Sequence, residues 1–290
     1  MKVGYIGIIG KPNAGKSTLL NTIIGEKLSI VTPKAQTTRK RIIGIYSTSE
    51  AQIIFIDTPG FTLKTDKLNQ KLVEQAKGTM QEVDINLLLI DASKYMASLE
   101  ADILYQLNTY KKPTFLILNK IDKIKKNYLL PTIDFYRNQF DFEEIFPISA
   151  KTNDGISHLI EQIISYLPEG DAIYSEDLLS NQPQRIFTEE FVREAIFQLL
   201  KEEIPYSTYV EITQFSESDS DTKKVEIKAD IFVEKDSQKK IVIGKSGNMI
   251  RQIREYALKE IQNFLQQPVQ LSLWVKVDKN WRNDAPEDKI

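Results

Sequence analysis

GKPNAGKS, residues 10–17, is the stretch on which the fold of the first half of the chain turns. It matches G-x-x-x-x-G-K-[ST]. It follows the apolar run GYIGIIG (4–10) and opens an amphipathic run, so it is expected to link a strand to a helix. In that setting the loop from Gly10 through Lys11, Pro12, Asn13, Ala14 and Gly15 turns backbone amides inward around a phosphate. Lys16 then reaches the β- and γ-phosphates, Ser17 holds Mg²⁺, and Thr18 completes the nucleotide-binding set. Gly-Lys-Ser recurs at Gly244, Lys245 and Ser246. The glycine that a second such loop needs five residues earlier is missing, because that position is Lys239.

Outward from the first loop, short apolar runs alternate with helical patterns. RIIGIYS, AQIIFID, INLLLIDA, PTFLILNK and IFPISA read as strands, several of them apolar throughout, as strands covered on both faces should be. SLEADILYQLNTY places Leu99, Ile103, Leu104 and Leu107 on one helical face, and GISHLIEQIISYL does the same with Ile156, Leu159, Ile160, Ile163 and Leu167. The expected fold is α/β, a mixed, mostly parallel sheet with helices on both faces, over residues 1–170. Residues 171–183, polar and broken by Pro183, read as a linker. Residues 184–290 read as a separate α+β domain. A helix capped by Thr188 leads to the strands YVEITQF and KKVEIKADIFVE, joined by the acidic tip SESDSD. A strand IVIG, a helix 248–265 and a strand QLSLWVKV follow.

Composition sets the outer bounds. At 290 residues two domains are expected. The net charge of −2 excludes a globally basic polyanion binder, so any such surface must be local. The absence of cysteine excludes disulfides, thiolate metal sites and thiol catalysis, and fits a reducing cytosol. No stretch reaches the roughly 20 apolar residues of a membrane span, and the N-terminal run carries no cleavage signal.

Three further motifs end predicted strands in the first domain. DTPG (57–60) offers Asp57 to Mg²⁺ through water and the Gly60 amide to a γ-phosphate. NKID (119–122) offers the Asp122 carboxylate to the ring N–H and amino group of guanine. Adenine has no such donor pair and would leave the carboxylate unpaired, at about 1–3 kcal/mol or more. Asn119 would brace the base and the phosphate loop, and the Lys120 stem would cover the base. SAK (149–151) offers the Ala150 amide to the guanine oxygen, flanked by Ser149 and Lys151. In this order and setting, the motifs resemble a GTPase of the translation-factor-related class. That resemblance implies GTP/GDP and Mg²⁺ as ligands, and a threonine in TPKAQTTRKR (32–41) completing the metal shell. Relatives with T-T-R use the second, here Thr38 rather than Thr37.

The position after DTPG, where many GTPases carry a water-orienting Gln, is Phe61. The only histidine, His158, falls on a late helix and reads as surface. Catalysis is then expected from Lys16, Thr38, Gly60, Mg²⁺ and loop amides, with slow intrinsic turnover. GTPases with a similar GxPNxGKS loop use the residue matching Asn13 to hold K⁺ beside the phosphates. Loops 31–41 and 60–79 are expected to be ordered by the γ-phosphate.

The second Gly-Lys-Ser is part of G-x-x-G, Gly244 to Gly247, with Met249, Ile250 and Ile253 following on a helix. From Lys235 to Lys259 seven Lys or Arg face two acids. Such a cluster around G-x-x-G, within this element order, resembles a type II KH domain that grips a single-stranded nucleic-acid backbone. Gly244, Lys245, Ser246, Gly247, Ile250, Arg251 and Arg254 are its expected contacts. Lys276, Lys279, Trp281 and Arg282 would extend the surface by charge and stacking, while Trp274 is expected in the core. GTPase motifs followed by a KH domain together resemble the bacterial Era GTPase family over essentially the whole chain. This implies small ribosomal subunit assembly, with single-stranded rRNA gripped near the 3′ end of the small-subunit RNA. It also implies a monomeric, largely cytoplasmic protein, in part peripheral on the inner membrane face. The acidic tip and the tail DKNWRNDAPEDKI depart from the pattern. A rival reading is a signalling or membrane-associated GTPase whose KH fold is a protein-interaction module. A P-loop kinase is a distant third reading, since NKID selects guanine with no acceptor site in view.

Overall fold

The computed structural model describes residues 1–34, 37–61, 67–94, 101–216, 224–279 and 281. Leu99, the acidic tip beyond Ser216 and Arg282 lie outside them. The chain divides into two compact units, Met1–Ser29 with Thr38–Asn181, and Ile30–Thr37 with Gln182–Ile290.

The first unit runs β1 (Lys2–Gly10), α1 (Lys16–Ile24), β2 (Ile42–Ser47), β3 (Ala51–Asp57), α2 (Lys67–Glu82), β4 (Ile85–Asp91), α3 (Ala101–Tyr110), β5 (Thr114–Asn119), α4 (Leu129–Arg137), β6 (Glu144–Pro147) and α5 (Ile156–Tyr166). The sheet order is β2-β3-β1-β4-β5-β6, parallel except where β2 pairs with β3. Strand parity explains the continuous apolar runs. Ile9, Leu88, Leu116 and Leu118 join a cluster with Ala76 and Met80 of α2, Ile103 and Leu107 of α3, and Tyr136 of α4. Ile8, Leu87, Leu89 and Ile117 are equally buried and alternate onto the opposite face. α1 and α5 both pack against β1.

Two stretches differ from their expected form. Of loop 60–79, Lys67 onward belongs to α2, whose Leu68, Leu72, Ala76 and Met80 repeat every four residues and bury one helical face. Much of the stretch read as a linker is fastened to the first sheet. Gln52 Oε1 accepts from the amides of Ile173 and Tyr174 at 2.7 and 2.9 Å, and the Ile45 amide donates to the Leu179 carbonyl at 2.8 Å.

The second unit runs α6 (Gln184–Leu199), β7 (Thr208–Ser216), β8 (Val225–Val233), α7 (Asp236–Ile243), α8 (Asn248–Leu265) and β9 (Val269–Val277). Its sheet is β7-β8-β9, antiparallel then parallel. α6 packs on α8 and β7, and α8 packs on β9.

Three sequence expectations are corrected here. IVIG is the end of helix α7 rather than a strand. Gln238 Oε1 accepts from the amides of Glu234 and Lys235 and starts the helix, and a three-residue β-branched run is too short to override it. Thr188 is not a cap: α6 begins at Gln184 behind Pro183, and Thr188 Oγ1 donates back to the Gln184 carbonyl within the helix. The two tryptophans exchange places. In β9 the buried residues are Val269, Leu271 and Val275, so Trp274 falls on the opposite parity and is 47% exposed. Trp281 is buried, its Nε1 donating to the Ser207 carbonyl at 3.3 Å and its ring stacked on Tyr209 at 5.9 Å. It cannot serve an RNA surface as expected.

Candidate functional site

The loop between β1 and α1 is shaped for close backbone approach. Gly15 has φ 104°, and a Cβ there would lie 2.2 Å from Asn119 Nδ2. Asn13 is also left-handed, at φ 63°. Lys11 and Asn13 are exposed, Pro12 and Thr18 half-buried, and Ala14 and Lys16 buried. Lys16 Nζ donates to the carbonyls of Gly10 and Lys11 at 3.2 and 3.1 Å. Burial lowers its pKa to about 8, against a smaller opposing pull from the Asp57 carboxylate. The ammonium therefore sits at the centre of the loop and gains charge stability from any anion placed there.

An oxygen cluster lies beside it. Ser17 Oγ donates to Asp57 Oδ2 at 2.7 Å and lies 2.9 Å from Thr38 Oγ1. Thr37 Oγ1 instead contacts the Lys34 carbonyl and Thr32 Oγ1. Two hydroxyls and a carboxylate form a hard-oxygen donor set, which suits Mg²⁺ with waters and phosphate completing the shell. Ser29, which carries no motif, donates to Asp57 Oδ2 at 2.9 Å. Asn21 of α1 holds it there, accepting from the amides of Leu28 and Ser29 and donating to the Ser29 carbonyl. Gly60 packs on the loop, since a Cβ there would lie 2.7 Å from Pro12 N. The Phe61 side chain points into the core cluster and so does not face the phosphate position.

The base-side motifs converge on the same loop. Asn119 Nδ2 donates to the Ala14 carbonyl at 2.9 Å, and its Oδ1 accepts from the amides of Lys120 and Ala150 at 2.8 and 3.0 Å. The Ala150 amide expected at the guanine oxygen is thus directed at Asn119 here. Asp122 Oδ1 accepts from Ser149 Oγ at 2.8 Å, which orients the carboxylate at the surface. Lys120, at φ 69°, reaches the Asn13 carbonyl at 2.6 Å and Asp91 at 2.7 Å. Burial pushes the Asp91 pKa up, but hydrogen bonds from Lys120 and Ser93 outweigh it and hold the carboxyl below its usual range. Sequence reading passed over Asp91, although it ends β4 just as Asp57 ends β3 and Asn119 ends β5. Thr22 Oγ1 ties α1 to the last loop, 2.8 Å from the Thr18 carbonyl and 2.7 Å from that of Ala150. Lys151 is exposed beside it.

In the second unit the stretch 244–247 forms a tight turn between α7 and α8. Gly244, Ser246 and Gly247 have φ of 74°, 52° and 74°. A Cβ on Gly244 would lie 2.6 Å from Met249 Cβ, whereas one on Gly247 would meet nothing within 4 Å. The turn is closed on its inner side and open at Gly247, with the exposed Lys245 and Ser246 beside that opening. Ile250 is half-buried on the first turn of α8; Arg251 and Arg254 are exposed and form no ion pair among the described residues. Lys276 is engaged elsewhere, its ammonium 2.5 Å from Asp230, and Lys279 is exposed just past β9.

Comparison with known proteins places both sites in a family. Residues 5–120 match the model "50S ribosome-binding GTPase", and residues 203–282 match "KH domain". GTPase Era of Ruminiclostridium cellulolyticum is 44% identical over 97% of this chain and 94% of its own length. That of Geobacter metallireducens is 43% identical over 97% and 94%. A variant of Aquifex aeolicus Era bound to GDP·AlF4⁻ superposes with a TM-score of 0.94 at 40% identity, covering 99% of this chain and 97% of that one. Era in complex with MgGDPNP and nucleotides 1506–1542 of 16S ribosomal RNA gives 0.93 at the same identity and coverage. A phosphate loop, the NKID carboxylate beside it and a KH unit in one chain thus have a family in common, and this chain belongs to the Era family of GTPases.

Proposed function

We propose that this GTPase is a switch that grips single-stranded RNA of the small ribosomal subunit, near the 3′ end of that RNA, and assists small-subunit assembly. The observation that carries the proposal is the turn 244–247. Its left-handed residues make a tight turn, open at Gly247 with Lys245 and Ser246 exposed, at the start of α8, where the helix dipole favours an anion. Lys245, Arg251 and Arg254 add cations beside it, and Ile250 adds an apolar step for an unpaired base. The relative crystallised with both MgGDPNP and 16S RNA supports the same pairing of ligands.

In the nucleotide site we assign Ser17, Thr38 and, through water, Asp57 to Mg²⁺; the bound ion would neutralise charge on the phosphate oxygens. Lys16, the loop amides and the Gly60 amide bind the phosphates, and Asn119, Lys120, Asp122, Ser149 and Ala150 position the base. Asn13 is assigned to K⁺ on the loop motif. Thr37 and Thr38 are adjacent but anchored differently. Thr38 meets Ser17 within the first unit, and the Thr37 carbonyl accepts from Arg193 of α6 within the second. Among the described residues no helix is long and apolar enough to cross a membrane.

The test is RNA titration of the wild type and a Lys245→Asp, Ser246→Asp double variant over a salt series. Both positions are exposed, and Asp tolerates the left-handed conformation at 246. Aspartates at Gly244 would collide with Met249 and confuse misfolding with lost binding. Wild-type affinity should fall steeply with salt, and the variant should bind about 100-fold more weakly or not at all. Equal, salt-insensitive binding by both proteins would overturn the RNA assignment. A tight protein partner without RNA affinity would move the KH unit to the interaction-module reading.

A further inference from the structure

Ser29 reaches the oxygen cluster of Ser17, Thr38 and Asp57 without belonging to any motif. Gly25, at φ 81°, stops α1, and the chain folds back beside that helix. Asn21, one turn after Ser17 on the same helical face, holds the returning chain. Its Oδ1 accepts from the amides of Leu28 and Ser29 at 3.0 and 2.9 Å, and its Nδ2 donates to the Ser29 carbonyl at 2.7 Å. Leu28, Ser29 and Ile30 are all buried, so the Ser29 hydroxyl must find its acceptor inside the protein. Other buried hydroxyls of this unit take a backbone carbonyl, as Thr58 does that of Ile8 and Thr132 that of Tyr128. Ser29 Oγ instead donates to Asp57 Oδ2 at 2.9 Å, the same oxygen to which Ser17 Oγ donates at 2.7 Å.

Resting on the assignment of Ser17, Thr38 and Asp57 to Mg²⁺ made above, we infer that Ser29 is a positioning residue of the metal site. It fixes the Asp57 carboxylate so that Asp57 serves the ion through water while Ser17 keeps its oxygen for the metal. A carboxylate oxygen has about two lone-pair sites, and Oδ2 already accepts from both serines. That oxygen is thereby withdrawn from direct coordination, and the other one serves the ion. Ser17 has a single proton. Directed at Asp57, it leaves the lone pairs of the hydroxyl to the metal. Held by Ser17 alone, the carboxylate could turn about that one bond. Mg²⁺ demands near-octahedral geometry, so a misplaced acceptor for its water weakens the whole site. Groups that orient a metal's partners set its affinity in this way without touching the ion.

The experiment loads the full chain with a fluorescent GDP analogue and follows its release into excess GDP across a Mg²⁺ series that starts in EDTA. Mg²⁺ beside the phosphates slows release, and the midpoint of that slowing reads the affinity of the ion. Ser29→Ala should move the midpoint to Mg²⁺ concentrations about 10- to 100-fold higher, with release in EDTA unchanged. Ser29→Thr, which keeps the hydroxyl, should give a midpoint near that of the wild type. An unchanged midpoint in Ser29→Ala would overturn the inference. If release in EDTA is then faster, Ser29 only pins the chain between α1 and Thr38. Ser17→Ala tests the underlying assignment separately. If Ser17→Ala no longer responds to Mg²⁺ while Ser29→Ala behaves as the wild type, the metal site stands without Ser29. If Ser17→Ala responds as the wild type does, the Mg²⁺ assignment itself fails.

Discussion

Asp122→Asn is expected to weaken GTP binding by roughly a thousandfold, because two hydrogen bonds to a charged acceptor are each worth about 1.5–3 kcal/mol. The carboxylate is held by Ser149 at the open side of the base site, so its loss leaves the fold intact. Ser149 Oγ can donate or accept, and it holds the asparagine as readily. The amide presents one acceptor and one donor. Guanine offers two donors on that edge and mismatches it. Xanthine carries an oxygen in place of the amino group and matches it. Competition of GTP and XTP against a fluorescent guanine nucleotide reads the outcome. Wild type should prefer GTP and the variant XTP. A GTP affinity within a few-fold of wild type would show that Asp122 does not read the base.

Lys16→Ala should lower GTP turnover by about a thousandfold, in the range seen when a preorganised cationic group at a transferring phosphoryl is removed. The position has a pH signature that a purely structural lysine lacks. Burial lowers the ammonium to about 8 in the nucleotide-free protein. Phosphate charge beside it raises that pKa again, so the bound form carries the proton to higher pH. Below about 8 the free protein is already protonated and this group adds no pH dependence. Above about 8 binding must take up a proton, and affinity should fall by up to tenfold per pH unit. Titrating nucleotide affinity across that range should give a declining limb in the wild type and none in Lys16→Ala. A limb of equal slope in both would assign the titration to another group.

The α/β domain was legible because its signals are local and repeated. Apolar strands ending in GKPNAGKS, DTPG, NKID and SAK put each functional residue at a strand's carboxyl end, where a parallel sheet gathers its ligands. Ser29 and Asn21 were not legible, because their role is to hold Asp57 through contacts that no motif encodes. Asp91 was within reach, standing at a strand end like its neighbours. IVIG misled because a short β-branched run fits a strand or a buried helix end equally well, and Gln238 decides between them only through its hydrogen bonds. The tryptophans misled for a different reason. Alternation in β9 leaves the phase open until one buried residue fixes it, and Val275 places Trp274 outside. Trp281 reads as a tail residue, yet its hydrogen bond to the Ser207 carbonyl and its stacking on Tyr209 draw it in.

In the proposed switch, nucleotide state at one Gly-Lys-Ser governs RNA at the other. It is tested most directly by the affinity of a short single-stranded RNA from the 3′ end of small-subunit rRNA for this chain loaded with GDP or with a non-hydrolysable GTP analogue. Binding should be tighter with the analogue, and lost in Lys245→Asp, Ser246→Asp. Equal affinity in the two nucleotide states would contradict it, leaving a GTPase and an RNA clamp that share a chain without sharing a switch.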